Sequence, residues 1–193
     1  MEAFNHDLFF AKMKFFKLFG NTIRIYDQSE SKQLLFVKQK AFKLKEEITV
    51  YADESEKIKL LSIKARSVLD FGATYDVFEF ASNTKIGSLR RKGLASTFGS
   101  DSWIVLDSNE NQIASITEDS LLLALIRKYI LNIIPQSFVI KANEQDIGIF
   151  KQTWNPFLPQ MRVDFSSDKQ KILDRRLGIS AMILLQCIEG KQN

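Results

Sequence analysis

Three pairs of basic residues recur along the chain at one spacing, and each pair begins 26 residues after the previous one. The pairs are Lys38 and Lys40, Lys64 and Arg66, and Arg90 and Lys92. Positions i and i+2 of a strand point to the same face, here opposite the apolar neighbours Val37, Ile63 and Leu89. Cations arranged in this way can bind an anionic group such as a lipid phosphate, each contributing roughly 1 kcal/mol near an anionic surface.

If the three pairs occupy the second strands of consecutive hairpins, they lie two strands apart, about 10 Å, and form a stripe of six cations. The equivalent positions of a fourth hairpin, Ile116 and Glu118, end the series. A second interpretation stays open, because outward positions of a soluble sheet must be polar. Lysine and arginine there also serve solubility and discourage pairing with other chains.

Catalytic and metal chemistry have few candidate residues. His6 is the only histidine and Cys187 the only cysteine, so a zinc or iron cluster lacks ligands and a catalytic triad would depend on His6. Cys187 lies in an apolar segment and is expected to be an inert core thiol. The pattern GxxxxGKS of a phosphate-binding loop does not occur. We therefore expect no enzymatic activity, no cofactor and no metal.

One segment resembles a calcium-binding loop but is better explained as a turn. Asp107, Asn109, Asn111 and Glu118 match positions 1, 3, 5 and 12 of the EF-hand pattern. Position 6 is Gln112, where the pattern requires glycine, and the flanking segments read as strands. Asp and Asn are also the residues that hairpin turns use.

Short alternating apolar runs indicate an all-β chain. Six such runs end in polar turns, at residues 23–27, 48–53, 75–79, 103–107, 138–141 and 161–165. After each of the first five runs, a polar stretch leads to a second short apolar run, at 34–37, 60–63, 86–89, 113–116 and 147–150. About six hairpins at a spacing of about 25 residues predict ten to twelve antiparallel strands, and closing the sheet into a barrel removes exposed edges.

Two segments break the alternation and read as helices. From Asp174 onward the chain is apolar on nearly every face, and a helix of this kind must be buried on all sides, which a surrounding sheet provides. A shorter helix is predicted over residues 121–134.

The Phe-rich segment before Gly20 is expected to be a first strand on the barrel rather than a membrane anchor. The turn Trp154–Pro159 is expected to plug one barrel end, with an exposed contact patch as the alternative.

Several motifs resemble the LURP-one-related branch of the tubby-like superfamily, which is kin to the phospholipid scramblases. They are the links Lys14–Gly20 and Lys40–Leu44, the turn Asp164–Ser166 and the segment Leu173–Arg176 that opens the last helix. The resemblance implies a barrel of about twelve strands around a hydrophobic C-terminal helix. Tubby domains bind phosphoinositides, and many LURP-one-like proteins have no assigned activity. Asp164, Asp168 and Asp174 are a thin counterpart of the scramblase calcium segment, which argues against calcium-triggered scrambling.

Composition and charge place limits on the surroundings of the protein. The chain has 193 residues, of which 45% are hydrophobic and 26% charged, as in one globular domain spanning residues 1–193. Residues 1–100 carry 17 basic against 12 acidic residues, whereas 101–193 carry 10 against 11. One cysteine excludes an internal disulfide and favours a reducing compartment. The uncharged run Leu177–Ile188 is shorter than the roughly 20 residues that span a bilayer.

These observations lead to one expected function and one alternative. We expect a monomeric, non-enzymatic module of the cytoplasm, peripherally associated with membranes, that binds anionic phospholipid headgroups through Lys38, Lys40, Lys64, Arg66, Arg90 and Lys92. The alternative is a protein-interaction scaffold with no lipid preference. No nucleic acid partner is expected.

Overall fold

The structure is a computed structural model that describes residues 2–16, 20–39, 47–66, 73–92, 102–118, 135–153, 155 and 158–189. It contains a short 3-10 turn at Glu2–Phe4, twelve strands and one α-helix within these ranges. The elements are β1 Leu8–Phe16, β2 Gly20–Asp27, β3 Gln33–Gln39, β4 Glu47–Tyr51, β5 Lys59–Ala65, β6 Thr74–Glu79, β7 Thr84–Lys92, β8 Ser102–Asp107, β9 Gln112–Glu118, β10 Ser137–Ala142, β11 Gln145–Thr153, β12 Gln160–Asp164 and α1 Arg175–Glu189.

The strands form one closed antiparallel barrel in sequence order. Closure occurs where β1 pairs with β12, with Phe9 opposite Val163, while the other edge of β1 pairs with β2. The predicted twelve-stranded barrel is therefore confirmed, and so is the prediction that the Phe-rich N-terminal segment is its first strand. A closed sheet leaves no unpaired edge along which other chains could add.

Helix α1 fills the barrel, as its apolar sequence requires. Every residue from Leu177 to Cys187 is buried. Sheet and helix approach so closely that two glycines are needed at the contact. A Cβ on Gly87 would lie 2.3 Å from the carbonyl oxygen of Leu106 and 2.9 Å from Leu177, and a Cβ on Gly178 would lie 2.6 Å from the ring of Phe165.

The two ends of the barrel differ in their connections. Five hairpin connections of two to seven residues, at 28–32, 52–58, 80–83, 108–111 and 143–144, lie at one end together with the start of α1. We call this the turn end. The strand pairs β1–β2, β3–β4, β5–β6, β7–β8, β9–β10 and β11–β12 are joined at the opposite end, which we call the link end.

Some expectations fall outside the described residues. They are the helix over 121–134, Lys40, and Trp154, Pro156 and Phe157 of the proposed plug. Within the described part of the chain, no helix has both the length and the apolar character needed to cross a bilayer.

Candidate anion-binding face

The predicted basic residues lie on alternate strands of the barrel wall. Strands β3, β5 and β7 are separated by β4 and β6, as expected. Their described cations are Lys38, Lys64, Arg90 and Lys92, with Arg66 directly after the end of β5, and we call the outer surface that carries these five residues the basic face. Val37, Ile63 and Leu89, next to them in sequence, are buried in the core. The alternation of polar and apolar side chains on these strands is therefore as predicted.

The strand register places the pairs on a diagonal rather than in one row. Lys38 lies opposite Thr49, which lies opposite Ser62, two residues before Lys64. Lys64 is in the row of Asp76 and Ser88. Level residues are 24 apart in the sequence (Lys38 and Ser62, Lys64 and Ser88), whereas the basic pairs recur every 26 residues, so each pair lies two residues further along its strand than the pair before it.

Within the described residues, the register places Arg66 level with Arg90. The backbone N–H of Arg66 donates to the carbonyl oxygen of Thr74, and Thr74 pairs with Arg90. They are therefore two strands apart, a separation of about 10 Å. Both arginines can contact the same third group between them.

Arg66 is held by a carboxylate on the strand between the two arginines. Its Nε and Nη2 donate to the two oxygens of Asp76 at 2.9 and 2.7 Å, a bidentate pair. Nη2 also donates to the hydroxyl of Ser88 at 2.9 Å, and that hydroxyl donates to Asp76 at 2.8 Å. Ser88 is fully buried although it is on the outer face. These contacts fix the position of the Arg66 guanidinium.

A second carboxylate, that of Glu110, reaches the same cluster from the β8–β9 turn. It forms ion pairs with Arg66 and with Lys85. Arg90 Nη2 lies 3.6 Å from its second oxygen, and the hydroxyl of Ser88 lies 3.2 Å from its first. Three cations therefore converge on one glutamate side chain.

The charges of this cluster shift the pKa values of both acids. Burial of Asp76 would raise its pKa, but hydrogen bonds from Arg66, Ser88 and Lys85 together outweigh burial and lower the pKa to about 2. Hydrogen bonds from Arg66 and Lys85 lower the pKa of Glu110 to about 2, against a smaller opposing effect of burial. The same carboxylates raise the pKa of Arg66. Asp76, Glu110 and Arg66 are therefore charged at neutral pH.

The remaining cations of the basic face differ in their partners. Lys38 Nζ lies 2.7 and 2.9 Å from the two carboxylate oxygens of Glu56, in the β4–β5 turn. Lys64 and Lys92 are exposed, and neither forms an ion pair with an acidic residue of the described ranges. Lys64 Nζ lies 5.6 Å from the centre of the Phe78 ring. Lys64 and Lys92 therefore have positive charge available to a ligand, and Arg90, whose side chain is 44% exposed and lies 3.6 Å from Glu110, is only loosely paired.

Sequence reasoning missed several members of this cluster. Lys85, Ser88, Asp76, Glu56 and Glu110 were not among the predicted residues. Asp76 and Ser88 alternate with the buried Tyr75, Val77 and Leu89, so their outward position could have been read from the pattern. Glu56 and Glu110 could not, because each adopts a positive φ, of 58° and 68°, within a turn.

A second charged cluster closes the turn end of the barrel around a cavity of about 320 Å³. Arg175, the first residue of α1, pairs with Asp168 and with Asp7, both at 2.7 Å. Arg176 pairs with Asp174 at 2.6 Å and with Glu79 at 3.3 Å. Both guanidinium groups are engaged by protein carboxylates, so this cluster joins the N-terminal segment and helix α1 to the barrel instead of offering an open anion site.

Asp174, directly before helix α1, caps the N-terminus of the helix. Its carboxylate accepts the backbone N–H of Arg176 at 2.8 Å, as an N-cap residue does. Burial would raise the pKa of this carboxyl, but the Arg176 hydrogen bonds outweigh that effect and hold the pKa below its usual range.

The calcium-like segment forms the β8–β9 hairpin turn. Asp107 Oδ1 accepts the backbone N–H groups of Asn109 at 2.8 Å and Asn111 at 2.9 Å. Its carboxylate therefore shapes the turn, as the sequence favoured. In the part of the chain that the structure describes, no group of three or more His, Cys, Asp or Glu residues is arranged to hold a metal ion.

A comparison with known families identifies a match over most of the barrel. The family model described as LURP-one-related matches residues 33–169, from the start of β3 to beyond the end of β12. Neither a curated protein nor a solved structure matches the chain.

Proposed function

Since this chain belongs to the LURP-one-related family, we propose that it is a non-enzymatic module that binds anionic phospholipid at a membrane surface through its basic face. The observation that supports this proposal most strongly is the group of exposed cations at Lys64, Arg90 and Lys92 on neighbouring odd-numbered strands. Helix α1 fills the barrel, so the ligand must bind on the outer surface.

The position of these cations along the barrel agrees with a membrane contact. Lys64 is next to last in β5, and Arg90 and Lys92 are in the last three residues of β7, so all three lie towards the link end. The sequence of the links that follow these strands contains Leu69, Phe71, Leu94 and Phe98 among other apolar residues. Basic residues close in sequence to large apolar residues are the combination that interfacial segments use.

Neutralising the exposed cations tests this proposal. We expect the combined variant Lys64→Gln, Arg90→Gln and Lys92→Gln to bind phosphatidylserine vesicles about 100-fold more weakly, because each basic residue contributes roughly 1 kcal/mol. The measurement is co-sedimentation with vesicles of graded phosphatidylserine and phosphoinositide content at low and physiological salt. Binding by the unmodified protein should weaken as salt rises.

A matched control removes the same charge elsewhere. Lys141, Lys151 and Lys169 are exposed and lie outside the basic face, so changing all three to glutamine should alter vesicle binding by only a few-fold. Equal losses in the two triple variants would show that net charge alone drives binding. Unchanged binding in the first variant would refute the basic face as the lipid site.

A protein-interaction scaffold is the second candidate, and two exposed apolar residues favour it. Ile58 and Phe80 are exposed in the β4–β5 and β6–β7 turns, at the opposite end from Lys92. This candidate predicts a discrete protein partner whose binding is lost in Ile58→Ser and Phe80→Ser, and no salt-sensitive association with anionic vesicles. A protein that binds anionic vesicles and keeps its vesicle affinity in both variants would exclude it as the main function.

A further inference from the structure

The side chain of Glu110 occupies a position in which an external anion would be well bound. Arg66, Lys85 and Arg90 surround its carboxylate, and the hydroxyl of Ser88 lies 3.2 Å from one oxygen. Three cations and a hydroxyl around one oxyanion are the groups by which proteins bind a phosphoryl group. Glu110 therefore supplies the negative charge that this arrangement requires.

The Glu110 carboxylate can leave this position without unfolding its turn. The β8–β9 turn is closed by its own hydrogen bonds, from Asp107 N to the carbonyl oxygen of Asn111 at 2.9 Å and from the Asn109 and Asn111 N–H groups to the Asp107 carboxylate. None of these bonds uses the Glu110 side chain, which is 38% exposed. Rotation about its side-chain bonds would free the three cations.

Asp76 differs from Glu110 in this respect. It is on strand β6, it forms a bidentate pair with Arg66, and it accepts the Ser88 hydroxyl. It would stay in place when Glu110 leaves and would keep the guanidinium of Arg66 oriented. The cluster would then carry three cations against one carboxylate, a net positive charge directed outward.

A second turn glutamate repeats this arrangement at the other side of the basic face. Glu56 has a positive φ of 58° in the β4–β5 turn, and its carboxylate covers Lys38. Glu110 has a positive φ of 68° and covers Arg66 and Arg90. Thus three of the five described cations of the basic face are covered by glutamates from two hairpin turns.

We infer that Arg66, Lys85, Ser88 and Arg90 form a binding site for a phosphate monoester, and that Glu110 closes this site in the free protein as an internal competing anion. A phosphoryl group that carries more charge than a carboxylate displaces Glu110 and takes over its contacts. The inference rests on the proposed function, since it describes how the same basic face is regulated. Protonation does not open the site at physiological pH, because the cations hold Glu110 ionised.

Removing the charge of Glu110 tests the inference. We expect Glu110→Gln to bind phosphatidic acid vesicles about fivefold or more tightly than the unmodified protein, because loss of one carboxylate raises the net positive charge of the cluster by one, which is worth roughly 1 kcal/mol near an anionic surface. The gain should be smaller with phosphatidylserine vesicles, whose phosphate is a diester. Glu144→Gln is the matched control, since Glu144 also has a positive φ, of 61°, in the β10–β11 turn and pairs with no cation of the described residues.

The comparison with Glu144→Gln distinguishes release of the cations around Glu110 from the general effect of removing one negative charge from the protein. A gain in Glu110→Gln that exceeds the gain in Glu144→Gln supports the inference, and equal gains overturn it. A gain that persists in Glu110→Gln combined with Lys85→Gln and Arg90→Gln would also overturn it, because the freed cations would then be absent.

A titration with inorganic phosphate keeps the inference testable if neither protein binds vesicles, a result that would refute the proposed function. Backbone amide shifts of Gly87, Ser88 and Leu89 can be followed by NMR as phosphate is added. Shifts that saturate at lower phosphate concentration in Glu110→Gln than in the unmodified protein support the anion site. The same titration curve in both proteins overturns it.

Discussion

Replacing Asp168 with alanine is expected to lower the free energy of unfolding by about 3–5 kcal/mol, because it breaks a buried ion pair from one side. The Asp168 side chain is 1% exposed and lies 2.7 Å from Arg175 Nη1. Its two oxygens also accept the backbone N–H groups of Ile172 at 2.8 Å and Leu173 at 3.0 Å. Alanine leaves the buried N–H of Leu173 and the part-buried N–H of Ile172 without this acceptor, and chemical denaturation followed by circular dichroism measures the loss.

Two further variants distinguish the contribution of the buried Asp168–Arg175 pair to stability from the effect of removing any surface carboxylate. Asp146→Ala removes a carboxylate that is 65% exposed and 3.6 Å from Lys141, and we expect a change within about 0.5 kcal/mol. Asp168→Asn keeps an acceptor for the backbone but loses the charge, so its loss should lie between the other two. Losses of similar size in Asp168→Ala and Asp146→Ala would contradict this account of how the turn end is closed.

Replacing Phe165 with alanine is expected to cost about 3–5 kcal/mol, the range for removing a fully buried aromatic side chain. The ring packs edge to face against Phe9 and Phe150, with centroid distances of 6.2 and 6.0 Å. The guanidinium of Arg175 lies 4.8 Å from its centre, and Gly178 of α1 lies against its edge. Alanine would leave a cavity between the first strand, β11 and the helix.

The exposed Phe80 provides the matched control for this variant. The Phe80 side chain is 43% exposed, and Lys59 Nζ lies 4.8 Å from the centre of its ring. Phe80→Ala should change the free energy of unfolding by less than about 1 kcal/mol. A loss below 1 kcal/mol in Phe165→Ala, measured by the same denaturation, would mean that helix α1 does not depend on this ring for its position.

The strands could be predicted from the sequence because side chains alternate between core and solvent. Ile23 and Ile25 of β2 are both buried, and Arg24 between them is not. Strand β1 was harder to orient, since Phe9 and Phe10 are both buried although they point to opposite faces. On the outer face the guanidinium of Arg162 covers Phe10, with its central carbon 4.5 Å from the centre of the ring. Arg162 is far from Phe10 in the sequence, so this contact does not follow from the local pattern.

The basic face could be predicted only in part, because register and side-chain reach do not follow from spacing. Irregularities in the pairing between Val50 and Tyr51 and between Val77 and Phe78 help to set which residues stand level. The spacing of 26 residues indicates alternate strands for the three pairs, but it does not indicate how far each pair lies along its strand. The closeness of Glu110 to Arg66, 44 residues away, depends on the backbone of a turn and on three strand registers, those of β5–β6, β6–β7 and β7–β8.

A fluorophore placed beside the basic face can report whether this face contacts anionic membranes, as we propose. Ser102 is paired with Lys92 at the link end, whereas Gln145 is exposed at the turn end. Ser102→Cys and Gln145→Cys leave the charges unchanged, and the buried Cys187 should not react with the label.

With an environment-sensitive fluorophore on each cysteine, the measurement is the emission shift on addition of phosphatidylserine vesicles. We predict a blue shift for the label at position 102, reversed by high salt, and no shift for the label at position 145. No shift at position 102, or equal shifts at both positions, would contradict the proposed membrane contact.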